Sequence, residues 1–435
     1  MLTAGFGKAS ITPPAGTPLA GYAARVDPSR GVHDDLYARA LVLDDGRRPL
    51  VLVSVDVLAL SADLVRRLRD GIRRRTGVTA DGVMIAATHT HAGPVTMRTF
   101  CHPDERMDPA YAERFAAAVE QAAATAWESR APSRVGIGSG TVSGVGVNRR
   151  SPGGVPVDEE IGLIKIEDIA GRTRGALVNF ACHPTVLGPD NLLVSADFPF
   201  YAIARIEERL GAGSFALFVN GAEGDVSMGH SSELSAIGVI TPGRTFERAE
   251  ELGHRLADAA LEALPGIACL DAQVLAGIRT TLALPLKTYP PLKEAARAAA
   301  EAAAEADRLA AAGAPWAEVG AARTRRLYAS IMRYFATETR DLNGHLPIEV
   351  QAVRIGDALF VGAPAELFVE IGLRLKREAR QRLFVIGLAN GYIAYFPTRA
   401  AHATGGYEVI SSLVTEEAED RLAQHVRAVE AQVFA

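Results

Sequence analysis

The sequence predicts a mixed α/β fold: a sheet with a largely parallel core, flanking helices, and an inserted Ala-rich helical hairpin. Three observations carry this expectation. Short apolar runs rich in Val, Ile and Leu alternate with stretches of helical period. Several of those runs end abruptly in clusters of polar side chains. Residues 293–340 differ from everything around them, because 295–312 are nearly all Ala, Glu, Arg and Asp.

The elements follow in order. Residues 36–44 and 50–57 read as strands joined by an Asp44-Asp45-Gly46 turn. Residues 62–76 read as an amphipathic helix, with Leu64, Leu68 and Ile72 four apart. Residues 83–88 are the next strand, and this β-α-β unit argues for parallel pairing. A helix is expected at about 108–128, and strand and loop over 133–147. A β-rich block covers 160–182, a helix 198–210, a buried strand 215–219 and a helix 244–264. Gly313-Ala314-Pro315 breaks the Ala-rich segment into two helices, a hairpin at about 290–340. β-structure resumes over 347–363, followed by helix 366–380, strand 383–388 and helix 415–433. No internal repeat is present, and residues 1–435 read as one domain carrying the hairpin.

Composition excludes several classes. The net charge is −5 with no polybasic block, which gives nucleic acid or an anionic membrane no electrostatic hold. Three cysteines, Cys101, Cys182 and Cys269, are too dispersed for a disulfide framework or a CxxC metal site. A reducing, cytoplasmic setting is expected. The N-terminal residues lack a basic stretch followed by an apolar one, so no signal peptide is expected. No run approaches the ~18–20 apolar residues of a membrane span. Oligomeric state is not legible.

The chemistry gathers at strand ends. His89-x-His91 closes the apolar run at 83–88, and residues two apart on a strand share a face. The pair reads as a metal site, an acid/base pair, or two hydrogen-bonded loop histidines. His183 ends the strand block before Pro184, which restricts it to extended backbone. Glu366, after Pro364-Ala365, is either a first-turn carboxylate favoured by the helix dipole or an oxygen ligand beside imidazoles. Polar residues also follow strands at Asn220–Ser227 and Asn390–Tyr395, with Gly405-Gly406-Tyr407-Glu408 further on. Locally those tyrosines read as packing residues. Asp56 and Asp197 fit either a carboxylate orienting a histidine or a turn and cap residue. The role of His33 stays open.

These stretches occur together in an order that resembles the neutral/alkaline non-lysosomal ceramidase family. The matching segments are Gly5-Phe-Gly-Lys-Ala-Ser-Ile-Thr-Pro-Pro14, Gly31-Val-His33, Leu36-Tyr-Ala-Arg-Ala40 and Thr88-His-Thr-His-Ala-Gly-Pro94. They continue through Asn148-Arg149, His183-Pro-Thr185, Gly224-Asp-Val-Ser227, Pro364-Ala-Glu366 and Asn390-Gly-Tyr392 to Tyr407-Glu408. The resemblance implies a single Zn²⁺ held by His89, His183, Glu366 and Tyr395. It implies assisting roles for His91, Arg149 and Tyr407, and it places Ser227 near the site without making it the nucleophile. The activity implied is hydrolysis of an amide bond, in a ceramide-like or smaller N-acyl substrate, by a metal-activated water. His91 would be the general base and Arg149 would orient oxygens. Tyr407 would donate to the developing oxyanion.

Family members are secreted or membrane-associated and carry a C-terminal immunoglobulin-like domain. No counterpart of that domain is expected here, and the chain resembles the family's N-terminal catalytic domain. A metal-dependent esterase or peptidase on the same scaffold is the competing enzyme reading. A non-catalytic binding relative, holding no metal, is the third.

Overall fold

A computed structural model describes residues 2–151 and 153–435. Its centre is an eight-stranded sheet, in the order Phe215–Asn220, Thr173–Phe180, Glu160–Asp168, Ala131–Thr141, Thr3–Ser10, Tyr37–Asp44, Leu50–Val55, Val83–Ala87. A second sheet runs Leu275–Pro285, His345–Ile355, Ala358–Gly362, Arg382–Ile386. The residues dictate four layers. Leu52, Met84, Leu217 and Val219 of the first sheet bury against Val353, Phe360, Phe384 and Ile386 of the second. The outer face of the first sheet is covered by helices Ala62–Thr76 and Pro109–Glu128 over one half. Helices Phe198–Leu210 and Phe246–Ala263 cover the other half. Leu327, Ile331, Ile371, Leu422 and Val426, from helices Trp316–Glu338, Val369–Glu378 and Ala418–Phe434, cover the outer face of the second sheet. Helix Leu292–Ala311 packs on Trp316–Glu338 through Ala306, Leu309, Val319 and Ala322.

Two expectations are corrected. The sheet is mixed, but its middle is antiparallel. Only the outermost pairs are parallel, Phe215–Asn220 with Thr173–Phe180 and Leu50–Val55 with Val83–Ala87. Tight turns join Tyr37–Asp44 to Leu50–Val55 and Glu160–Asp168 to Thr173–Phe180, which forces antiparallel neighbours. Parallel pairing appears only where a helix crosses over. The second correction concerns residues 366–380. The helix starts at Val369, whose backbone N–H is taken by Asp225 Oδ1 at 2.8 Å. Glu366–Leu367 instead pairs in parallel with Tyr395–Phe396. Glu366 is therefore not a first-turn helix carboxylate.

Curvature of the large sheet brings its two edges together. Arg39 Nη1 on strand Tyr37–Asp44 donates to Ala216 O at 3.0 Å, and Ser54 Oγ donates to Phe218 O. At the strand ends, Asn220 Nδ2 donates to Thr88 O at 3.1 Å. Strand termini far apart in sheet order thus become neighbours. The free edge of Val83–Ala87 is closed by residues 388–390. Asn390 N donates to Ile85 O at 2.8 Å, and its Oδ1 accepts from Ile85 N at 3.0 Å. Asn390 Nδ2 reaches Gln351 Oε1 of the second sheet at 2.6 Å.

Asn390→Ala leaves these buried groups unpaired and puts alanine at φ 64°. We expect a loss of ~2–4 kcal/mol in urea denaturation. A second prediction concerns pH. Burial pushes the Asp56 carboxyl from 3.8 up to about 6. The unfolded chain ionises first as pH rises, so Asp56 favours the fold fully below pH ~4, and this contribution is lost as pH rises through ~6. Asp56→Asn should flatten that part of the stability profile, by on the order of 2–3 kcal/mol between its ends.

Candidate metal site

His89 leaves the end of strand Val83–Ala87 with φ 72°, a conformation costly for a residue with a Cβ. Its N–H bonds Val57 O at 3.0 Å, and its ring Nδ1 lies 2.7 Å from Leu58 O. His183 follows strand Thr173–Phe180, with its N–H on Val226 O at 2.9 Å and its Nδ1 2.7 Å from Glu223 O. A carbonyl oxygen only accepts, so each neutral ring carries its proton on Nδ1. Both Nε2 lone pairs then face inward. Glu366 Oε2 lies 2.9 Å from His183 Nε2 and 3.5 Å from His89 Nε2. His91 Nε2 stands 3.3 Å from His89 Nε2.

This donor set fits a metal. Two lone pairs and a carboxylate oxygen at such separations repel one another unless a cation lies among them. Zinc bonds of ~2.0–2.2 Å in a tetrahedron hold donor atoms roughly 3.3 Å apart. Ring nitrogens of His89, His91 and His183 all lie within 4.8 Å of one another, which makes them a candidate metal cluster. Burial holds His183 down to about 4, with Arg149 adding to the effect. Burial, with His89 and His183 nearby, holds His91 well below its usual value. Neutral imidazole is the form that ligates a metal or accepts a proton. Burial opposes ionisation of Glu366, and positive charge at His89 and His183 would hold its carboxyl well below the usual range; with both rings neutral, a bound cation is what fills that role.

The tyrosines divide. Tyr395 stacks on His183 with centroids 6.3 Å apart, and its Oη accepts from Arg149 Nη2 at 3.2 Å. Tyr392 donates to Glu366 Oε1 at 2.6 Å, and the Tyr395 hydroxyl also bears on the Glu366 carboxylate. Tyr407 packs on Tyr395 at 5.9 Å, with its Oη 3.8 Å from Cys101 Sγ. Burial, and then Glu366 for Tyr395 or Cys101 for Tyr407, pushes both phenols well above their usual value. Both are donors at neutral pH. Arg149 also donates to Glu408 Oε1 at 2.9 Å and to Gly224 O at 2.8 Å. Glu408 is buried; it takes a second guanidinium from Arg150 at 2.7 Å and the Ser232 hydroxyl. A cavity of about 30 Å³ opens on His91, Arg149, Ser227, Tyr395 and Tyr407. Among the described residues, His91 Nδ1 and Ser227 Oγ are buried there without a partner.

The second-tier expectations fare differently. Neither Asp56 nor Asp197 bonds a histidine ring; backbone carbonyls do that work. Asp56 Oδ2 accepts from Tyr37 N at 2.8 Å. Asp197 accepts from Phe198 N at 2.7 Å and Leu187 N at 3.0 Å, which fixes the loop after His183. His33 bonds Asp34 and stacks on Phe246 at 3.7 Å, outside the cluster. Sequence reasoning passed over Tyr392, Glu408, Glu223 and Gly21. The first three sit in segments already singled out as polar strand ends. Gly21 carries no sequence signal: at φ +107°, a Cβ there would fall 2.5 Å from the His91 ring.

Fold and site together define a layered α/β protein with a buried imidazole–carboxylate cluster at converging strand ends. The family model of neutral/alkaline non-lysosomal ceramidases, N-terminal region, matches residues 2–233, and the chain belongs to this family. It is 25% identical to a neutral ceramidase of Drosophila melanogaster, over 94% of this chain and 71% of that protein. It is 26% identical to the neutral ceramidase of Pseudomonas aeruginosa, over 94% of this chain and 68% of that protein. The solved Pseudomonas aeruginosa neutral ceramidase has the same fold, with TM-score 0.77 at 21% identity over 99% of this chain and 75% of that one. A ceramidase solved in complex with C2 superposes with TM-score 0.74 at 20% identity, over 99% of this chain and 76% of that one. Among the described residues no helix is long and apolar enough to cross a membrane.

Protein purified without chelator should carry about one equivalent of a transition metal by plasma mass spectrometry. His89→Ala, His183→Ala and Glu366→Ala should each lower that content by 10-fold or more, since each removes one of the converging donors.

Proposed function

We propose that this chain is a zinc-dependent hydrolase of linear amide bonds, acting on a ceramide-like or smaller N-acyl amide. The observation that carries the reading is the convergence of His89 Nε2, His183 Nε2 and Glu366 Oε2 beside a cavity lined by His91, Arg149 and Tyr407. Membership of the ceramidase family supports the amide as the bond cleaved. His89, His183 and Glu366 would hold the metal, with Tyr395 as the family's fourth ligand. Bound there, zinc supplies a water nucleophile at neutral pH and polarises the scissile carbonyl.

The chain's own groups do the rest. His91 is a half-buried neutral imidazole at the cavity, and its Nδ1 has no partner among the described residues. It takes the proton from the attacking water and returns it to the leaving nitrogen. Tyr407, a neutral phenol lining the same cavity, donates to the oxygen on which charge develops. Arg149 cannot swing freely, because Glu408 and Gly224 O fix it, so its remaining donor capacity orients substrate oxygens.

His91→Ala should keep its metal and lose roughly 10²–10⁴-fold in kcat. Tyr407→Phe should lose on the order of 10²-fold with little change in KM. The assay is hydrolysis of a panel of N-acyl amides, with matched esters and short peptides alongside. Turnover of the esters or peptides but none of the amides would replace the amidase reading with an esterase or peptidase. Wild-type rates from His91→Ala on every substrate would remove His91 from the mechanism.

A further inference from the structure

Beside the small polar cavity lies a larger groove, about 450 Å³, which the mechanism above does not use. Its walls are Val26, Phe100, Ile237 and Leu327, and the face contributed by helix Trp316–Glu338 carries Arg323 and Arg326. The groove adjoins the site. Ala236 lines both spaces, and the Phe100 ring packs on Tyr395 and Tyr407 at 6.4 and 6.3 Å. Cys101, also in its wall, touches Tyr407. Its volume falls within the range of small-molecule sites.

Charge sets this groove apart. Among the described residues no carboxylate lines it, although the chain as a whole is acidic. Arg326 is paired with Asp307 at 2.9 Å. Arg323 has no acidic partner among the described residues. It is held in place all the same, lying over the Trp316 ring at 5.5 Å with Nη1 3.5 Å from Ile237 O. A cation without an acidic partner among the described residues, at the wall of an apolar groove beside the site, is complementary to one kind of guest. That guest has an apolar chain for Phe100, Ile237 and Leu327 and an anionic end for the guanidinium.

We propose that the groove receives one arm of the substrate, and that this arm is an apolar chain ending in an anion, with Arg323 as the residue that selects it. This deepens the hydrolase reading and rests on it for the word substrate. The binding itself is independent of turnover.

The test is titration calorimetry of the intact protein with decanoate, kept below its micellar concentration, and with decanol, kept below its solubility limit. Decanoate should bind about two- to fivefold more tightly than decanol, the range of a partly exposed ion pair. Arg323→Glu should abolish the difference. Val26→Glu, at a side chain 88% exposed and so harmless to folding, should weaken decanoate while leaving decanol within twofold. Both variants should hydrolyse an N-acetyl amide too short to reach the groove at the wild-type rate. Equal affinity for decanoate and decanol in the wild type would overturn the proposal. So would decanoate selectivity that survives both variants, or binding of Arg323 only to anionic phospholipid vesicles. If no amide is turned over but the calorimetric difference holds and vanishes in Arg323→Glu, the hydrolase reading fails and the groove stands.

Discussion

Two backbone carbonyls govern the site. Leu58 O and Glu223 O each take a histidine Nδ1, at 2.7 Å in both cases. Because a carbonyl can only accept, they settle where the proton of each ring resides, and so which way each lone pair faces. Without them His89 and His183 are two buried imidazoles of either tautomer. With them, two lone pairs and the Glu366 carboxylate are aimed at one point, an arrangement that a buried cation relieves. Carbonyls serve here where a carboxylate often does, so Asp56 and Asp197 are left to hold backbone.

Bringing those carbonyls into place is the work of the whole fold. Leu58 follows the strand next to one edge of the large sheet and Glu223 follows the strand at the other edge, and the curl that joins Asn220 to Thr88 makes them neighbours. Glu366 and the tyrosines lie in segments that follow the parallel pair Ala358–Gly362 and Arg382–Ile386 of the second sheet. Backbone strain gathers at the same place. His89, Leu388, Asn390 and Ala394 all adopt positive φ without being glycine. Strain of that kind persists only where surrounding contacts over-determine it, and the buried hydrogen bonds of Asn390 are among those contacts.

Much of this was legible in the sequence because it is written locally. Apolar runs with polar ends gave His89, His91, His183 and Glu366 as a group, and helical periodicity placed nearly every helix. Information that is not local was lost. The antiparallel centre of the sheet depends on which strands meet, and one β-α-β unit at 50–88 suggested parallel pairing for the whole. Tyr392 and Tyr395 are three residues apart on the same stretch, and nothing in that spacing says that both phenols bear on Glu366. Glu408 stands in a stretch the sequence singles out, but nothing local says that two guanidiniums, from Arg149 and Arg150, neutralise it. Gly21 is informative only once the His91 ring is known to lie against it.

The account stands on one point in space, between His89 Nε2, His183 Nε2 and Glu366 Oε2. A crystal structure of the protein, with anomalous diffraction collected on both sides of the zinc edge, locates it directly. The account predicts a single zinc peak bonded to those three atoms at ~2.0–2.2 Å, with His91 adjacent but not a ligand. A zinc held by His89, His91 and His183 with Glu366 turned away would contradict it, as would no anomalous density at the cluster.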